Sequence, residues 1–257
     1  MGVVLEVEHL TKKFVSRGRE DYLAVDDVSF SVYSGEKLGI IGESGSGKTT
    51  VVNMITRLLE VSSGTIQLDG QDITFKKGKE LKEVYKKMQM VFQTPTESFD
   101  PRRTIGDGIA ESLINHGMKK KEAMTQTRYL LELCGLEKEF AVRYPHEVSG
   151  GQCQRAAIAR AIAKDPKIFI FDDSFSALDL KTDAALRKAL AENVKDSTVI
   201  IVAQRISTVL HANQILVLDD GKLAGIGTHA ELMGSCEIYR EIYESQFEKE
   251  KKGVTDH

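Results

Sequence analysis

Residues 38–55 read LGIIGESGSGKTTVVNMI, and most of the fold can be inferred outward from them. The first four residues are apolar, as in a strand that is covered on both faces of a parallel sheet. Residues 42–49 match the pattern GxxxxGK[ST], and the residues after them favour a helix. Strand, glycine-rich turn and helix in this order predict a loop whose backbone N–H groups surround phosphates.

This loop predicts specific nucleotide contacts. Lys48 is expected to reach the β- and γ-phosphates, and Thr49 is expected to ligate Mg²⁺. The alternative, a glycine-rich turn without a ligand, does not explain why the strand and the helix flank it as the motif requires. The predicted nucleotide-binding residues of the loop are Gly42, Ser44, Gly45, Ser46, Gly47, Lys48, Thr49 and Thr50.

Composition excludes several classes of protein. The chain has 257 residues, 41% of them hydrophobic and 28% charged, which is typical of a globular domain. Its net charge of -3 and scattered basic residues argue against a nucleic-acid partner. The three cysteines show no metal-ligand spacing, and no apolar run approaches the roughly 20 residues of a membrane span. We therefore expect a cytoplasmic protein with no intrinsic membrane segment.

A second chemical element follows the apolar residues 168–171, which resemble a buried strand. Asp172 and Asp173 stand at the carboxyl end of this strand, where doubly wound sheets place their ligands. Asp172 is expected to hold Mg²⁺, and Asp173 to orient or deprotonate an attacking water. By itself, an acidic pair after a strand is equally compatible with a solvated turn.

A third element, Ser149-Gly150-Gly151-Gln152, opens a segment rich in Ala and Ile that favours a helix. A serine N-cap followed by two glycines leaves backbone N–H groups that suit an anion. Because the chain already has one phosphate loop, this helix start would be most useful against a nucleotide held by another subunit. It is also compatible with a capped helix that has no ligand.

Together these elements resemble the ABC ATPases over nearly the whole chain. Residues 42–49 are similar to the Walker A motif, 148–152 to the ABC signature and 168–173 to Walker B. The resemblance implies ATP and Mg²⁺ as ligands, with Gln93 sensing the metal and the γ-phosphate and Asp179 lying in the D-loop. It also implies that Phe14 stacks on adenine, although an ordinary core aromatic would fit the same position.

The resemblance also implies the fold class, α/β. It comprises a P-loop NTPase core, with a RecA-like parallel sheet and an antiparallel β subdomain, plus an inserted α-helical subdomain. We expect one nucleotide-binding domain over residues 1–247. Its core lobe comprises 1–93 and 165–247, its helical lobe 94–164, and residues 248–257 form a charged, disordered tail.

Two positions depart from the active-family pattern. The family places a glutamate after the Walker B aspartate, but Asp173 is one methylene shorter. The family's switch histidine falls at Gln204, whose amide can donate a hydrogen bond to the γ-phosphate but cannot carry a proton or a charge. Asp173, Gln204 and Lys48 are the predicted catalytic residues. The departures predict tight ATP binding with slow hydrolysis.

The chain also resembles two branches of the family. Residues 92–102 and 143–151 are similar to ATPases of dipeptide and oligopeptide importers, whereas residues 171–179, 201–208 and 225–232 are similar to the degenerate-site chain of heterodimeric exporters. This mixture predicts a recombinant with a join near residues 165–168, while a natural sequence of mixed character remains the alternative.

The function implied by the resemblance is an ATPase subunit that dimerises around Mg²⁺–ATP and drives a transmembrane permease from the inner face of the cell membrane. Its partners would be that permease and a second ABC ATPase domain, identical or different. The signature residues and Asp179 would then contact the partner's nucleotide. The alternative is a module that dimerises on ATP with almost no hydrolysis. An ABC ATPase acting on DNA or ribosomes is disfavoured, because no second cassette or basic arm is present.

Overall fold

The computed structural model describes residues 2–15, 21–94, 98–174 and 197–253, with side chains described as far as residue 247. The chain divides into two compact units. The first comprises Met1–Tyr85 and Thr198–His257, and the second comprises Lys86–Ser197. The chain thus leaves the first unit once and returns to it.

Strands and helices alternate through most of the described chain. The strands are β1 (Val3–Phe14), β2 (Tyr22–Tyr33), β3 (Lys37–Ile41), β4 (Ser63–Leu68), β5 (Gln71–Asp72), β6 (Met88–Val91), β7 (Ile168–Asp172), β8 (Thr198–Val202), β9 (Gln214–Asp219) and β10 (Lys222–Gly227). The helices are α1 (Lys48–Ile55), α2 (Gly78–Lys87), α3 (Ile105–Asn115), α4 (Lys120–Leu133), α5 (Gly150–Ile162), α6 (Ile206–Val209), α7 (His229–Ser235) and α8 (Glu237–Gly253).

The first unit contains an antiparallel sheet in the order β2-β1-β4-β5. Burial alternates along β1: Leu5 and Val7 are buried, whereas Glu8 on the opposite face is exposed. Period-two burial of this kind lets one face of a sheet pack on a core while the other meets water.

The same unit contains the sheet that leads to the phosphate loop. Strand β3 lies between β8 and β9 and is parallel to both, and β10 pairs antiparallel with β9. The central strand is apolar and buried from Leu38 to Ile41, because neighbours cover it on both edges and both faces. Its carboxyl end delivers the chain to Gly42.

The second unit pairs β6 with β7 in parallel and contains helices α3, α4 and α5. Ala110, Leu113 and Ala123 form a buried cluster against which Met118 and Met124 pack. All three helices lie between residues 105 and 162.

The C-terminal helix is longer than expected. Helix α8 continues to Gly253 and therefore includes most of the segment predicted as a disordered tail. Glu and Lys, which dominate that segment, are strong helix formers, so charge alone was a poor guide to disorder. Within the described ranges, none of the helices has both the length and the apolar character required to cross a bilayer.

Candidate nucleotide-binding site

The loop between β3 and α1 adopts a shape that excludes side chains at two glycines. A Cβ atom on Gly42 would lie 2.1 Å from the Leu218 carbonyl oxygen. Gly47 has φ of 95°, and a Cβ there would lie 2.6 Å from the Ala24 carbonyl oxygen. Other residue types would have to displace backbone at both points, so the glycines are required by geometry as well as by the motif.

The Lys48 ammonium is folded into this loop. Its Nζ donates to the carbonyl oxygens of Gly42 at 2.8 Å and Glu43 at 2.6 Å, and to Ser46 Oγ at 3.4 Å. The residue is only 8% exposed, whereas Ser44, Gly45 and Thr49 are exposed. The loop thus concentrates one buried positive charge beneath a rim of small residues.

Helix α1 begins without a cap of its own. Gly47 occupies the N-cap position in a left-handed conformation, and no described side chain caps the helix there. The first turn of a helix leaves N–H groups without intrahelical partners, and the macrodipole adds partial positive charge. An anion is the natural partner for this end.

The phosphate loop has a support that the sequence analysis missed. The Gly221 N–H, in the turn between β9 and β10, donates to the Ser46 carbonyl at 3.3 Å. The Asp26 N–H donates in turn to the Gly221 carbonyl at 2.8 Å. Nothing in the sequence connects this Asp-Gly turn to a loop 175 residues away.

Phe14 ends strand β1 and is 40% exposed, so it is not a core aromatic. Tyr22 lies opposite it in the antiparallel register and is also exposed. The Lys12 ammonium lies 5.1 Å from the Phe14 ring centroid. An exposed ring in this position is available to a planar ligand, and stacking on adenine stays a prediction.

In the second unit, strand β7 delivers the predicted acidic pair. Asp172 is 3% exposed, and Asp173 follows it with φ of 44°, which is uncommon for a residue other than glycine. Gln93 donates from Nε2 to Asp173 Oδ2 at 3.4 Å. The structure therefore brings together the predicted γ-phosphate sensor and the residue predicted to orient water.

Helix α5 begins with a complete capping box. Ser149 Oγ accepts the Gln152 N–H at 3.3 Å, and Gln152 Oε1 accepts the Ser149 N–H at 2.8 Å. Ser149 and Gly150 are exposed, and a Cβ on Gly150 would meet open space. This helix start is stable by itself and also presents an uncovered surface, so both interpretations of the sequence fit it.

Two predicted residues remain. Gln204 lies two residues after the end of β8 and is exposed, with its backbone carbonyl bonded to Gln246. Asp179 lies outside the described residues. Gln154 was not predicted, yet its Nε2 donates to the Phe92 carbonyl at 3.4 Å and so ties helix α5 to the residue before Gln93.

Comparisons with known proteins match most of the chain. The family model described as ABC transporter matches residues 25–176. The oligopeptide transport ATP-binding protein OppF of Bacillus subtilis is 43% identical over 235 residues, covering 89% of this chain and 77% of that protein. The protein of the same name from Streptococcus mutans is 39% identical over 234 residues, covering 89% and 76%.

Among solved structures, a dimeric ATP-binding cassette in a post-hydrolysis state with ADP and Pi matches with a TM-score of 0.82. It is 30% identical and covers 87% of this chain and 98% of that one. This match confirms the expected fold class. The alignments to OppF run through 89% of the chain and do not divide it near residue 165, so the recombinant origin stays a prediction.

Proposed function

Because the chain belongs to the ABC transporter family, we propose that it is the ATP-hydrolysing subunit of an importer for oligopeptide-type substrates. The observation that carries the proposal is the phosphate loop, in which β3, Gly47 and α1 enclose the Lys48 ammonium. The family binds ATP and uses its hydrolysis. Import of peptides is supported by the names of the two relatives, both oligopeptide transport ATP-binding proteins.

Lys48 accounts for capture of the nucleotide. In the structure its ammonium is bonded to the carbonyls of Gly42 and Glu43. Phosphate oxygens carry full negative charge and accept stronger, charge-assisted hydrogen bonds than these carbonyls do. The β- and γ-phosphates of ATP would therefore compete successfully for Lys48, and the positive end of the α1 dipole would favour the same phosphates. Phe14 would stack on the adenine.

The residues assigned to Mg²⁺ fit that ion chemically. Thr49 offers a hydroxyl, Asp172 a carboxylate and Gln93 an amide oxygen, and Mg²⁺ prefers oxygen ligands of this kind. Bound with the nucleotide, the ion would neutralise phosphate charge.

We propose that a second ATPase domain, either identical or different, completes the site. Ser149, Gly150, Gly151 and Gln152 would face the γ-phosphate held by that partner, with Asp179 beside them. The support is the exposed start of helix α5, whose capping box leaves the first-turn N–H groups of the two glycines outside the Ser149–Gln152 pair. Dimerisation would then move a transmembrane permease.

Hydrolysis is proposed to be slow. The shorter side chain of Asp173 sets its carboxylate back from a water that a glutamate would reach, and a displacement of about 1 Å can cost about a hundredfold in rate. Gln204 adds an uncharged amide where the family has histidine. The second candidate function, an ATP-gated dimerisation module with almost no hydrolysis, is favoured by the contact of Gln93 with the Asp173 carboxylate.

Steady-state release of phosphate from Mg²⁺–ATP, measured over a range of protein concentrations, tests this proposal. We expect a rate per subunit that rises with concentration, because the site is completed by a partner. Lys48→Ala should lower turnover at least about 100-fold. Lys37→Ala, an exposed lysine at the start of β3, is the matched control and should leave it unchanged.

Asp173→Glu decides between the two candidate functions. It should raise turnover about tenfold if the shortened carboxylate limits the rate. If Asp173→Glu is no faster than the parent, the explanation of slow hydrolysis is wrong. If neither protein turns over ATP but both dimerise with it, the binding module is the correct function.

A further inference from the structure

The C-terminal helix α8 reaches the residues that follow strand β8. Gln246 on this helix donates from Nε2 to the Gln204 carbonyl at 2.7 Å, and its Oε1 accepts the Ile206 N–H at 2.9 Å. One carboxamide thus bridges two backbone groups on either side of Arg205. Two bonds from a planar amide fix both the position and the direction of this backbone.

We name residues 203–206 the switch segment. Its first residue is held from the other direction, because the Ala203 N–H donates to the Ile40 carbonyl at 3.0 Å. Ile40 belongs to β3, two residues before Gly42 and the phosphate loop. The switch segment is therefore bonded to the strand that carries the phosphate loop and to helix α8.

The local sequence does little to hold the switch segment. Arg205 occupies the N-cap position of α6 without a described side-chain cap, and α6 has only four residues. A helix this short is not stable through its own backbone bonds. The Oε1 atom of Gln246 instead satisfies the N–H of Ile206, the first residue of this helix, which has no partner within the helix.

Helix α8, which carries Gln246, is packed against helix α7. Tyr239, on the same helix, is fully buried, and its hydroxyl lies 2.9 Å from His229 Nδ1 on α7. Further along α8, the ring centroids of Tyr243 and His229 are 5.4 Å apart. Two contacts with α7 therefore limit the movement of the part of α8 that precedes Gln246.

We infer that Gln246 is a positioning residue for Gln204. Through Gln246, the C-terminal helix orients the switch segment so that the Gln204 side chain faces the γ-phosphate. This inference rests on the proposed function, in which Gln204 occupies the switch position. A neutral glutamine there makes a directional amide hydrogen bond, which depends on geometry more than the contact of a charged group would. Fixing its carbonyl and the Ile206 N–H fixes the peptide planes from which the side chain projects.

Three variants distinguish a role of Gln246 in orienting the Gln204 side chain from a role in stability only. Gln246→Leu removes both hydrogen bonds with little change in size. Gln246→Glu keeps an acceptor for the Ile206 N–H but places a second acceptor against the Gln204 carbonyl. Glu244→Ala, an exposed residue on the same helix, is the control. Each is made in the parent and in a Gln204→Ala background, and thermal melts verify that the proteins are folded.

The first measurement is kcat and KM for Mg²⁺–ATP. Gln246→Leu and Gln246→Glu should lower kcat roughly fivefold with KM within about twofold, because ATP capture depends on the phosphate loop. Both reductions should disappear in the Gln204→Ala background, since there is then no side chain to aim. Glu244→Ala should match its parent in both backgrounds.

The second measurement is amide hydrogen exchange of residues 203–209, with and without the non-hydrolysable analogue Mg²⁺–AMP-PNP. Gln246→Leu should speed exchange about fivefold, the expected consequence of losing a net hydrogen bond. The analogue should slow exchange in the parent and have much less effect in this variant.

Several outcomes would overturn the inference. Faster exchange with unchanged kcat would make Gln246 a helix cap only. If the Gln246 variants lose the same fraction of kcat with and without the Gln204 side chain, Gln246 does not act through that side chain. The same conclusion follows if Gln204→Ala alone leaves turnover normal. If no protein turns over ATP, hydrolysis fails as the proposed function, and the exchange experiment still decides: an equal effect of the analogue on parent and Gln246→Leu overturns the inference.

Discussion

Two helix starts in this molecule are assigned to phosphate, and they are built in opposite ways. Helix α1 begins at Gly47, in a left-handed conformation and without a described side-chain cap. Helix α5 begins at Ser149, in an extended conformation and with a complete capping box. At the first, glycine provides no capping side chain, whereas the second satisfies part of its own end.

The difference indicates how each site depends on nucleotide. In α1 the loop and the helix use contacts within a few residues, such as that between Lys48 and Gly42, and their electrostatics remain suited to an anion. In α5 the cap stabilises the helix with no ligand present. The two constructions therefore match the two proposed roles, capture of ATP by α1 and contact with a partner's ATP by α5.

The largest effect is expected at the phosphate loop that precedes α1. Gly42→Ala should lower the free energy of unfolding by about 2 kcal/mol, because the new Cβ would lie 2.1 Å from the Leu218 carbonyl and the backbone must shift. ATP binding should weaken with it. Urea unfolding measures the first effect and nucleotide titration the second.

Gly234→Ala is the matched control, since a Cβ there meets nothing within 4 Å and the residue lies in helix α7. It should be neutral or stabilising by up to about 1 kcal/mol. Equal behaviour of the two variants would mean that the loop does not require glycine at residue 42.

At α5, the stability of the helix start and its role in turnover can be measured separately. Ser149→Ala removes the hydroxyl of the capping box and should cost about 1 kcal/mol of stability. If this helix start also contacts a partner's nucleotide, turnover should fall at least about tenfold at temperatures where the protein stays folded.

Helix α7 supplies the control for this prediction, because Thr228 and Glu231 form the same kind of capping box. Thr228→Ala should cost a similar amount of stability and leave turnover unchanged. A parallel loss of activity in both variants would assign Ser149 to helix stability only.

Features built from neighbouring residues could be predicted from the sequence, whereas contacts between residues far apart in the chain could not. The phosphate loop could be predicted because its glycines, Lys48 and flanking elements lie within 18 residues. Gln246 could not, because it meets Gln204 42 positions away and a glutamine on a polar helix carries no distinctive pattern. The Gly221 support was missed for the same reason.

Burial was also difficult to infer where two patterns overlap. The sequence allowed Phe14 to be either a core residue or a surface residue, since the last residue of a strand can be buried or exposed. The charged C-terminal segment was expected to be disordered, but the high helix propensity of its Glu and Lys residues lets α8 continue through it.

The last prediction concerns Cys153 in the first turn of α5. A helix N-terminus ordinarily lowers the pKa of a thiol, yet burial raises the pKa of Cys153 to about 11. The folded pKa therefore exceeds the unfolded value, so the contribution to stability is full below the unfolded pKa of about 8.5 and declines as the pH rises toward the folded pKa. Between pH 7 and 9.5 the parent should lose about 1 kcal/mol more than Cys153→Ala, measured by urea unfolding under reducing conditions.

An equal loss in the two proteins would contradict this and would show that the helix N-terminus and the charge of Arg160 together offset the burial of the thiol. A larger loss in the parent would show that burial outweighs both of these effects, so that the buried side of this helix start disfavours an anion.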